Sequence, residues 1–278
     1  MTYINADEVP LTNTGQIKIY GEDAFTGMRK AGKIAAAALD MVAEHVKVGV
    51  TTTALDKLIF DFGIDHNAIP ATLNYKGYTH SSCISINHFI CHGIPSEKAL
   101  KEGDILNIDI TYIVDGWHGD NSRMYVAGKP KRIAERLINV TYESLMRGIA
   151  AVKPGATTGD IGHAIQSYVE SERMSVVRDF VGHGLGRLFH ETPPNIFHFG
   201  HPDEGDTLVE GMIFTIEPMV NIGKPHSKIL TDGWTAVTRD RSLSAQYEHS
   251  IGVTKHGCEI FTLSPKGYGC WPYEQSDI

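Results

Sequence analysis

The sequence is poor in cysteine and has no long apolar run. Four of its 278 residues are cysteine, and none lies in a CxxC pair, which excludes a disulfide-stapled scaffold for a chain of this size. No apolar stretch approaches the roughly 18–20 residues that cross a bilayer. The opening residues also lack the basic and apolar regions of a secretory signal. We therefore expect reduced thiols, no membrane segment and a cytoplasmic location.

Positive charge is scarce as well. There are 25 lysines and arginines against 33 aspartates and glutamates, a net charge of −8 with histidine neutral. This balance disfavours binding to the phosphate backbone of nucleic acids. Hydrophobic residues at 42% and charged residues at 21% are typical of a globular protein. Because no coiled-coil repeat demands a partner, we expect a folded monomer that does not bind nucleic acid.

The sequence does contain an internal repeat. Apolar residues at helical spacing predict two pairs of helices, at 24–46 and 51–62 and at 130–151 and 158–172. The helices of each pair are joined by similar junctions, VKVGVTT from Val46 and VKPGATT from Val152, which lie 106 residues apart. Turn chemistry alone can produce such a likeness. The matching helix pairs around the junctions favour a duplicated half-domain instead.

Strand-like segments follow each helix pair. They lie at 82–86, 105–114 and 117–126 in the first half and at 212–220, 234–237 and 245–253 in the second. This order predicts an α+β fold of two halves that share one core. No linker rich in proline or serine separates the halves. We therefore expect a single main domain over residues 17–263, with an N-terminal extension over 1–16 and a C-terminal tail over 264–278.

A predicted hairpin places two aspartates on one face of the sheet. Asp115-Gly116 is a strong signal for a two-residue turn, and that turn pairs residue 111 with 120. Because side chains alternate along a strand, Asp109 and Asp120 become diagonal neighbours, provided that Gly119 introduces no bulge. Adjacent carboxylates repel each other, which indicates a cation between them. A solvated face of an antiparallel sheet is the alternative interpretation.

Two glutamates and two histidines extend this set. Glu217 and Glu248 each occupy an apolar strand-like segment, and a glycine-rich segment presents His183 and His190. The glycines are spaced GxGxG and no helix clearly follows, which excludes a dinucleotide-binding loop. Four carboxylates and one imidazole form an oxygen-rich set whose charge two divalent ions would balance, as in two-metal hydrolases.

Taken together, the motifs resemble those of the type I methionine aminopeptidases. Seven of them occur in order, namely Cys91-His92-Gly93-Ile94-Pro95, Asn107-Ile108-Asp109, His118-Gly119-Asp120, Gly182-His183-Gly184, Phe189-His190-Glu191, Ile216-Glu217-Pro218 and Gln246-Tyr247-Glu248-His249. The resemblance spans residues 17–263 and implies the duplicated "pita-bread" fold, in agreement with the repeat. It also implies a cytoplasmic hydrolase that removes the initiator methionine from nascent peptides, near the ribosome, when the second residue is small.

The resemblance assigns the metal ligands. Asp109 would bind one ion, His183 and Glu217 would bind the other, and Asp120 and Glu248 would bridge both. Cobalt, manganese, iron and zinc all suit such a set. A hydroxide that bridges the two ions would attack the first peptide bond.

The resemblance also assigns the catalytic and substrate-binding residues. Glu217 would carry the proton from water to the leaving amine. His190 would donate a hydrogen bond to the carbonyl oxygen, and His92 would contact the substrate near the scissile nitrogen. The methionine side chain would bind among aromatic rings and a thiol, at Tyr78, Cys83, Phe189 and Trp234.

The chain departs from the family pattern near the expected pocket. Thr72 and Lys76 stand where the family often has a cysteine and a histidine, and Thr79-His80 replaces a more usual Pro-Lys pair. The metal ligands are unaffected, so these differences bear on the choice of substrate. Two alternatives remain, a proline-directed aminopeptidase or dipeptidase with the same five ligands, and a non-catalytic peptide-binding module on this fold.

Overall fold

Four helices form where the sequence predicts them. The computed structural model describes residues 2–273, so residues 274–278 of the predicted tail lie outside the described residues. The helices are α1 (Glu22–Val42), α2 (Thr52–Asp65), α3 (Arg132–Ala150) and α4 (Thr158–Ser171). The side chain of Thr51 caps α2 and that of Thr157 caps α4 by accepting a backbone N–H of the first turn. None of the described helices is long and apolar enough to span a bilayer.

Seventeen strands are found among the described residues. They are β1 (Tyr3–Asn5), β2 (Ile17–Ile19), β3 (Ile69–Pro70), β4 (Cys83–Ile86), β5 (Phe89–Cys91), β6 (Ile105–Val114), β7 (Trp117–Val126), β8 (Ser175–Val176), β9 (Gly182–Gly184), β10 (Glu191–Ile196), β11 (Ile213–Ile216), β12 (Met219–Asn221), β13 (Ser227–Ile229), β14 (Ala236–Thr238), β15 (Ser244–Gln246), β16 (Glu248–Thr254) and β17 (Gly257–Ile260).

Nine of these strands form one antiparallel sheet. Its order is β10-β9-β11-β16-β7-β6-β3, with β4 also paired to β6 and β17 to β16. Two three-stranded antiparallel sheets, β15-β12-β8 and β13-β14-β5, and the parallel pair β1-β2 complete the fold. The predicted α+β class is confirmed.

The two halves repeat each other in detail at the predicted junctions. Gly49 and Gly155 both have a φ of +88°, a left-handed backbone that favours glycine. Gly49 N donates to the carbonyl oxygen of Leu100 at 2.8 Å, and Gly155 N donates to that of Leu208 at 2.9 Å. Because the same turn, cap and cross-chain bond recur at the predicted offset, the similarity reflects duplication of a half-domain.

Each half has its own hydrophobic core under its own pair of helices. In the first half, α1 and α2 bury residues such as Leu39 and Ile59 against β4, β6 and β7. In the second half, α3 and α4 bury residues such as Leu137 and Ile165 against β11 and its neighbours. Since β7 of one half pairs directly with β16 of the other, the two cores flank a shared seam in the large sheet.

Three predicted strands differ from the structure. The segments 212–220 and 245–253 are each split, at Glu217-Pro218 and at Tyr247. Pro218 has no N–H to donate to a neighbouring strand, and Glu217 N donates to the ring of His198 at 3.1 Å instead of continuing the sheet. The strand predicted at 234–237 begins only at Ala236, because the backbone N–H groups at 234 and 235 bond to the side chain of Asp232.

Helix α1 lies so close to β7 that Gly119 has no room for a side chain. A Cβ atom at Gly119 would lie 2.3 Å from the carbonyl carbon of Ala31, which is backbone and cannot swing away. We expect Gly119→Ala to lower the free energy of unfolding by about 1–3 kcal/mol. Gly257→Ala is the control, since its Cβ would meet nothing closer than 3.9 Å. Urea denaturation checks this, and equal stability of the two variants would contradict the packing.

Candidate metal centre and active site

A cavity of about 440 Å³ opens at the seam between the halves. Every residue predicted for the site lines it, namely Tyr78, Cys83, His92, Asp109, Asp120, His183, Phe189, His190, Glu217, Trp234 and Glu248. These residues are scattered over 171 positions of the sequence and come from both halves. The fold therefore brings the whole predicted set to one place.

The hairpin register is the one predicted from its turn. Val114 pairs with Trp117 and Thr111 with Asp120, and Gly119 causes no bulge. Asp109 and Asp120 are thus diagonal neighbours on one face of β6 and β7. Neither is on a solvated outer face, because both line the cavity.

The second half supplies its two acids from the ends of two paired strands. Glu217 follows the end of β11, and Glu248 begins β16. Glu248 lies opposite Ser122 of β7, so the seam brings it beside the hairpin acids. His183 lies at the middle of β9, with its Nε2 atom 3.6 Å from Asp120 Oδ2 and 3.8 Å from Glu217 Oε1.

Donor atoms of three residues lie close enough together to be candidates for sharing one metal ion. One donor atom each from Asp120, His183 and Glu248 falls within 4.8 Å of the others. The Nδ1 atom of His183 is 3.0 Å from the carbonyl oxygen of Gly184. A carbonyl can only accept, so Nδ1 carries the proton and Nε2 is left with a lone pair facing the acids.

The four carboxylates lie together without a neutralising side chain. Among residues 2–273, no lysine or arginine forms an ion pair with any of them, and the buried pairs Lys18–Glu191 and Arg123–Asp40 lie elsewhere. Burial raises the pKa of all four acids, and Asp120 further raises the pKa of the other three; the pKa of Asp120 itself is raised to about 7. Divalent cations would offset both the loss of hydration on burial and the repulsion between the acids. This donor set therefore fits a metal centre.

Hydroxyl and amide groups hold two of the four acids, Asp120 and Glu217, in place. Thr111 Oγ1 donates to Asp120 Oδ1 at 2.7 Å, and Thr215 Oγ1 donates to Glu217 Oε1 at 2.9 Å. The backbone N–H of His183 donates to the same Thr215 hydroxyl at 3.0 Å. Gln246 Nε2 lies 3.3 Å from Glu217 Oε2. Each carboxylate oxygen that receives such a bond is fixed, which leaves the remaining lone pairs for a cation.

Some of these supporting residues were missed by the sequence analysis. Thr215 lies two positions before Glu217 on the same strand face, so the alternation of side chains could have identified it. Buried His198, which accepts the Glu217 N–H, gives no such signal, because it lies in an irregular segment far from any motif.

The predicted methionine pocket is built by aromatic rings. The rings of Tyr78 and Trp234 meet edge to face with centroids 5.1 Å apart. His92 lies edge-on to Phe180 at 5.5 Å and to Trp234 at 6.3 Å. Cys83 adds a buried thiol, whose pKa is raised by burial, so it remains protonated. Phe180 is an addition to the predicted set.

The departures from the family pattern divide into two kinds. Thr72 and Lys76 line the cavity, and Lys76 is exposed, so both positions can affect what the cavity binds. Thr79 and His80 do not line it. Thr79 Oγ1 contacts the ring of His80 at 3.0 Å, and the carbonyl of His80 accepts a bond from Thr72. Positions 79 and 80 therefore shape the loop rather than the cavity wall.

Comparison with known proteins agrees with this geometry. The model of metallopeptidase family M24 matches residues 26–255. The methionine aminopeptidase of Rickettsia prowazekii is 58% identical over 259 residues, covering 92% of this chain and 99% of the relative. That of Escherichia coli is 52% identical over 249 residues, covering 89% and 94%. A crystal structure of the R. prowazekii enzyme superposes with a TM-score of 0.88 and 57% identity over 89% of this chain and all of the other.

The chain belongs to the methionine aminopeptidases of metallopeptidase family M24. The resemblance inferred from the motifs is confirmed, and so are the pita-bread fold and the class of metal-dependent exopeptidase. Membership of a metallopeptidase family also supports the binding of divalent metal at the cluster around Asp120, His183 and Glu248.

The raised pKa of Asp120 predicts how the stability of the metal-free protein depends on pH. A raised pKa means that the folded state binds protons more readily. The stabilising contribution is therefore complete below the unfolded pKa, near 4, and is lost as the pH rises towards 7. We expect the melting temperature of metal-free protein to fall relative to that of Asp120→Asn between pH 4 and 7.5. Each kcal/mol corresponds to about 2–4 °C.

Calorimetry with and without divalent metal checks this. Metal should restore the melting temperature of the original protein at pH 7.5 and raise that of Asp120→Asn much less, because the variant has lost a ligand. If the melting temperatures of the two metal-free proteins change in parallel across the pH range, the acids do not repel one another.

Proposed function

We propose that this chain removes the N-terminal methionine from nascent peptides whose second residue is small. The observation that supports the proposal is one cavity lined both by the five predicted ligands, three of which have donor atoms close together, and by aromatic rings. The relatives that share more than half of the sequence are named for this activity. The aromatic rings lie in the same cavity as the carboxylates, which can hold a free amino group through a cation.

The ligand set would hold two divalent ions. Asp109 would bind one ion, His183 and Glu217 would bind the other, and Asp120 and Glu248 would be shared by both. When bound, the ions supply Lewis acidity toward the peptide carbonyl and lower the pKa of a water molecule. Four carboxylates balance two such ions, which supports a pair over a single ion.

Three residues of the chain would then interact with the water proton, the carbonyl oxygen and the region of the scissile nitrogen. Glu217 is fixed through one oxygen by Thr215, and its carboxylate accepts the proton of the attacking water and delivers it to the leaving amine. Burial lowers the pKa of His190 to about 2, so its ring is neutral and has one N–H to donate to the carbonyl oxygen. Burial likewise lowers the pKa of His92, which contacts the substrate near the scissile nitrogen.

The methionine side chain would lie between Tyr78, Phe189 and Trp234, next to the thiol of Cys83. A thioether packs well against aromatic edges and a soft sulfur.

All four cysteines are unpaired in the structure, which supports a reducing, cytoplasmic compartment. The monomeric state and action near the ribosome stay predictions.

Substrate choice separates this function from the proline-directed alternative. We expect hydrolysis of Met-Ala-Ser and none of Ala-Pro peptides, since the aromatic pocket suits a long flexible side chain. The measurement is release of the first amino acid by the metal-loaded enzyme, tested with cobalt, manganese, iron and zinc in turn. Cleavage of the proline peptides alone would overturn the proposal.

Loss of a bridging ligand separates an enzyme from a peptide-binding module. We expect Asp120→Ala and Glu248→Ala to reduce kcat for Met-Ala-Ser by at least about 10³-fold, because oriented metal chemistry supplies a large part of such a rate. Glu97→Ala, at an exposed position outside the cavity, is the matched control. Near-normal turnover in either ligand variant with metal present would exclude the two-metal mechanism.

A further inference from the structure

The loop that carries His190 is held by the N-terminal part of the chain. We call residues 13–20 the N-terminal segment; it contains β2 and precedes α1. Tyr20 N donates to the carbonyl oxygen of Gly211 at 2.9 Å, and Ile17 is fully buried in the second-half core. The segment is therefore anchored independently of the loop that it contacts.

Asn13 bonds to the backbone on both sides of Glu191. Its Nδ2 donates to the carbonyl oxygen of His190 at 3.1 Å. Its Oδ1 accepts the N–H of Thr192 at 3.1 Å. One amide side chain thus fixes the backbone directly after the His190 ring and also the start of β10. Asn13 is itself exposed, so it contributes to the structure through these two hydrogen bonds and not through core packing.

Glu191 is fixed by two further residues of the same segment. Lys18 Nζ lies 2.9 Å from Glu191 Oε1, and the Tyr20 hydroxyl donates to the same oxygen at 2.6 Å. The Lys18 and Glu191 side chains are 5% and 4% exposed. A buried ion pair needs a defined geometry to offset the loss of hydration. The residue next to His190 is therefore held in one position.

The ring of His190 needs such support, because hydrogen bonding does not orient it. Its Nδ1 atom is buried and has no hydrogen-bond partner among residues 2–273. The ring instead contacts other rings, stacked on Tyr75 with centroids 5.2 Å apart and tilted to His183 at 4.1 Å and to Phe189 at 4.2 Å. Stacking restricts tilt but permits sliding in the ring plane. The backbone position then decides where the ring nitrogens lie.

The other end of the loop is held by the hairpin. The backbone N–H of His118 donates to the carbonyl oxygen of Gly186 at 2.9 Å, and its ring Nδ1 lies 3.0 Å from the same oxygen. The loop between Gly186 and Thr192 is thus clamped on one side by the strand that carries Asp120 and on the other by the N-terminal segment. His190 lies close to the second clamp.

We propose that Asn13 and the Lys18–Glu191 pair are positioning residues that set the place of His190 relative to the metal ligands. This inference rests on the proposed function for the role of His190. The N-terminal segment then belongs to the architecture of the active site, although none of its residues lines the cavity.

Asn13→Ala tests the proposal with little risk to the fold, and exposed Thr12→Ala is the matched control. We expect Asn13→Ala to lower kcat for Met-Ala-Ser by between about 5-fold and 100-fold, since small displacements of a catalytic group are costly. KM and the melting temperature should change little. Thr12→Ala should leave kcat unchanged. Full kcat in metal-loaded Asn13→Ala would overturn the proposal.

A double-mutant cycle shows whether the effect passes through His190. In a His190→Ala background, Asn13→Ala should cause no further loss of kcat, because there is no ring left to position. Equal losses in both backgrounds would mean that Asn13 acts by another route, contrary to the proposal.

The buried pair is tested by removing both charges. Lys18→Met alone leaves Glu191 uncompensated and should lower both the melting temperature and kcat. Lys18→Met combined with Glu191→Gln should recover the melting temperature but not kcat. Recovery of both would show that the pair only stabilises the fold, and would count against the proposal.

A measurement independent of turnover keeps the two proposals apart. In enzyme with ¹⁵N-labelled histidine, the ring signal of His190, assigned through its loss in His190→Ala, should shift in Asn13→Ala and not in Thr12→Ala. An unshifted signal overturns the positioning role even if Met-Ala-Ser is not a substrate. A failure of the original enzyme to cleave that peptide overturns only the proposed function.

Discussion

The fold has to hold four carboxylates of like charge together inside the protein. No lysine or arginine of the described chain pairs with them, and burial raises the pKa of each. This cost is offset when the carboxylates are protonated or when they bind a cation. Much of the surrounding structure serves that end, including the hairpin register, the Thr111 and Thr215 hydroxyl donors and the fixed tautomer of His183.

Duplication explains how such a site forms at a seam. Each half contributes two acids, one from each of two strands or strand ends, and the direct pairing of β7 with β16 places the two sets face to face. Neither half alone would bring together enough negative charge to require two ions. The site is also rigid, because each half has its own core and helix pair behind the strands that carry the ligands.

The sequence predicts those features that depend on neighbouring residues. The helices, the Asp115-Gly116 turn and the shared face of Asp109 and Asp120 follow from local periodicity and turn chemistry, and all are found. Grouping Glu217 and Glu248 with them required the family motifs, since strand order across the seam has no local signal.

His198 and Asn13, which the sequence did not reveal, act through long-range contacts. The backbone N–H of Glu217 donates to the ring of His198 instead of to a neighbouring strand. The predicted strand therefore ends there. Asn13 reaches His190 across 177 positions of the chain. Hydrogen bonds of this kind depend on the assembled fold, so neither hydrophobic periodicity nor turn residues reveal them.

The histidines of the site respond to burial in the opposite sense from the acids. Burial lowers the pKa of His183 to about 4 and that of His190 to about 2. Both rings are therefore neutral over the range in which Asp120 gains or loses its proton. A neutral His183 can bind a metal ion, and a neutral His190 can donate a hydrogen bond, without any change of protonation. Protons and cations therefore compete only for the carboxylates. The same burial that favours cation binding by the acids keeps both histidine rings neutral.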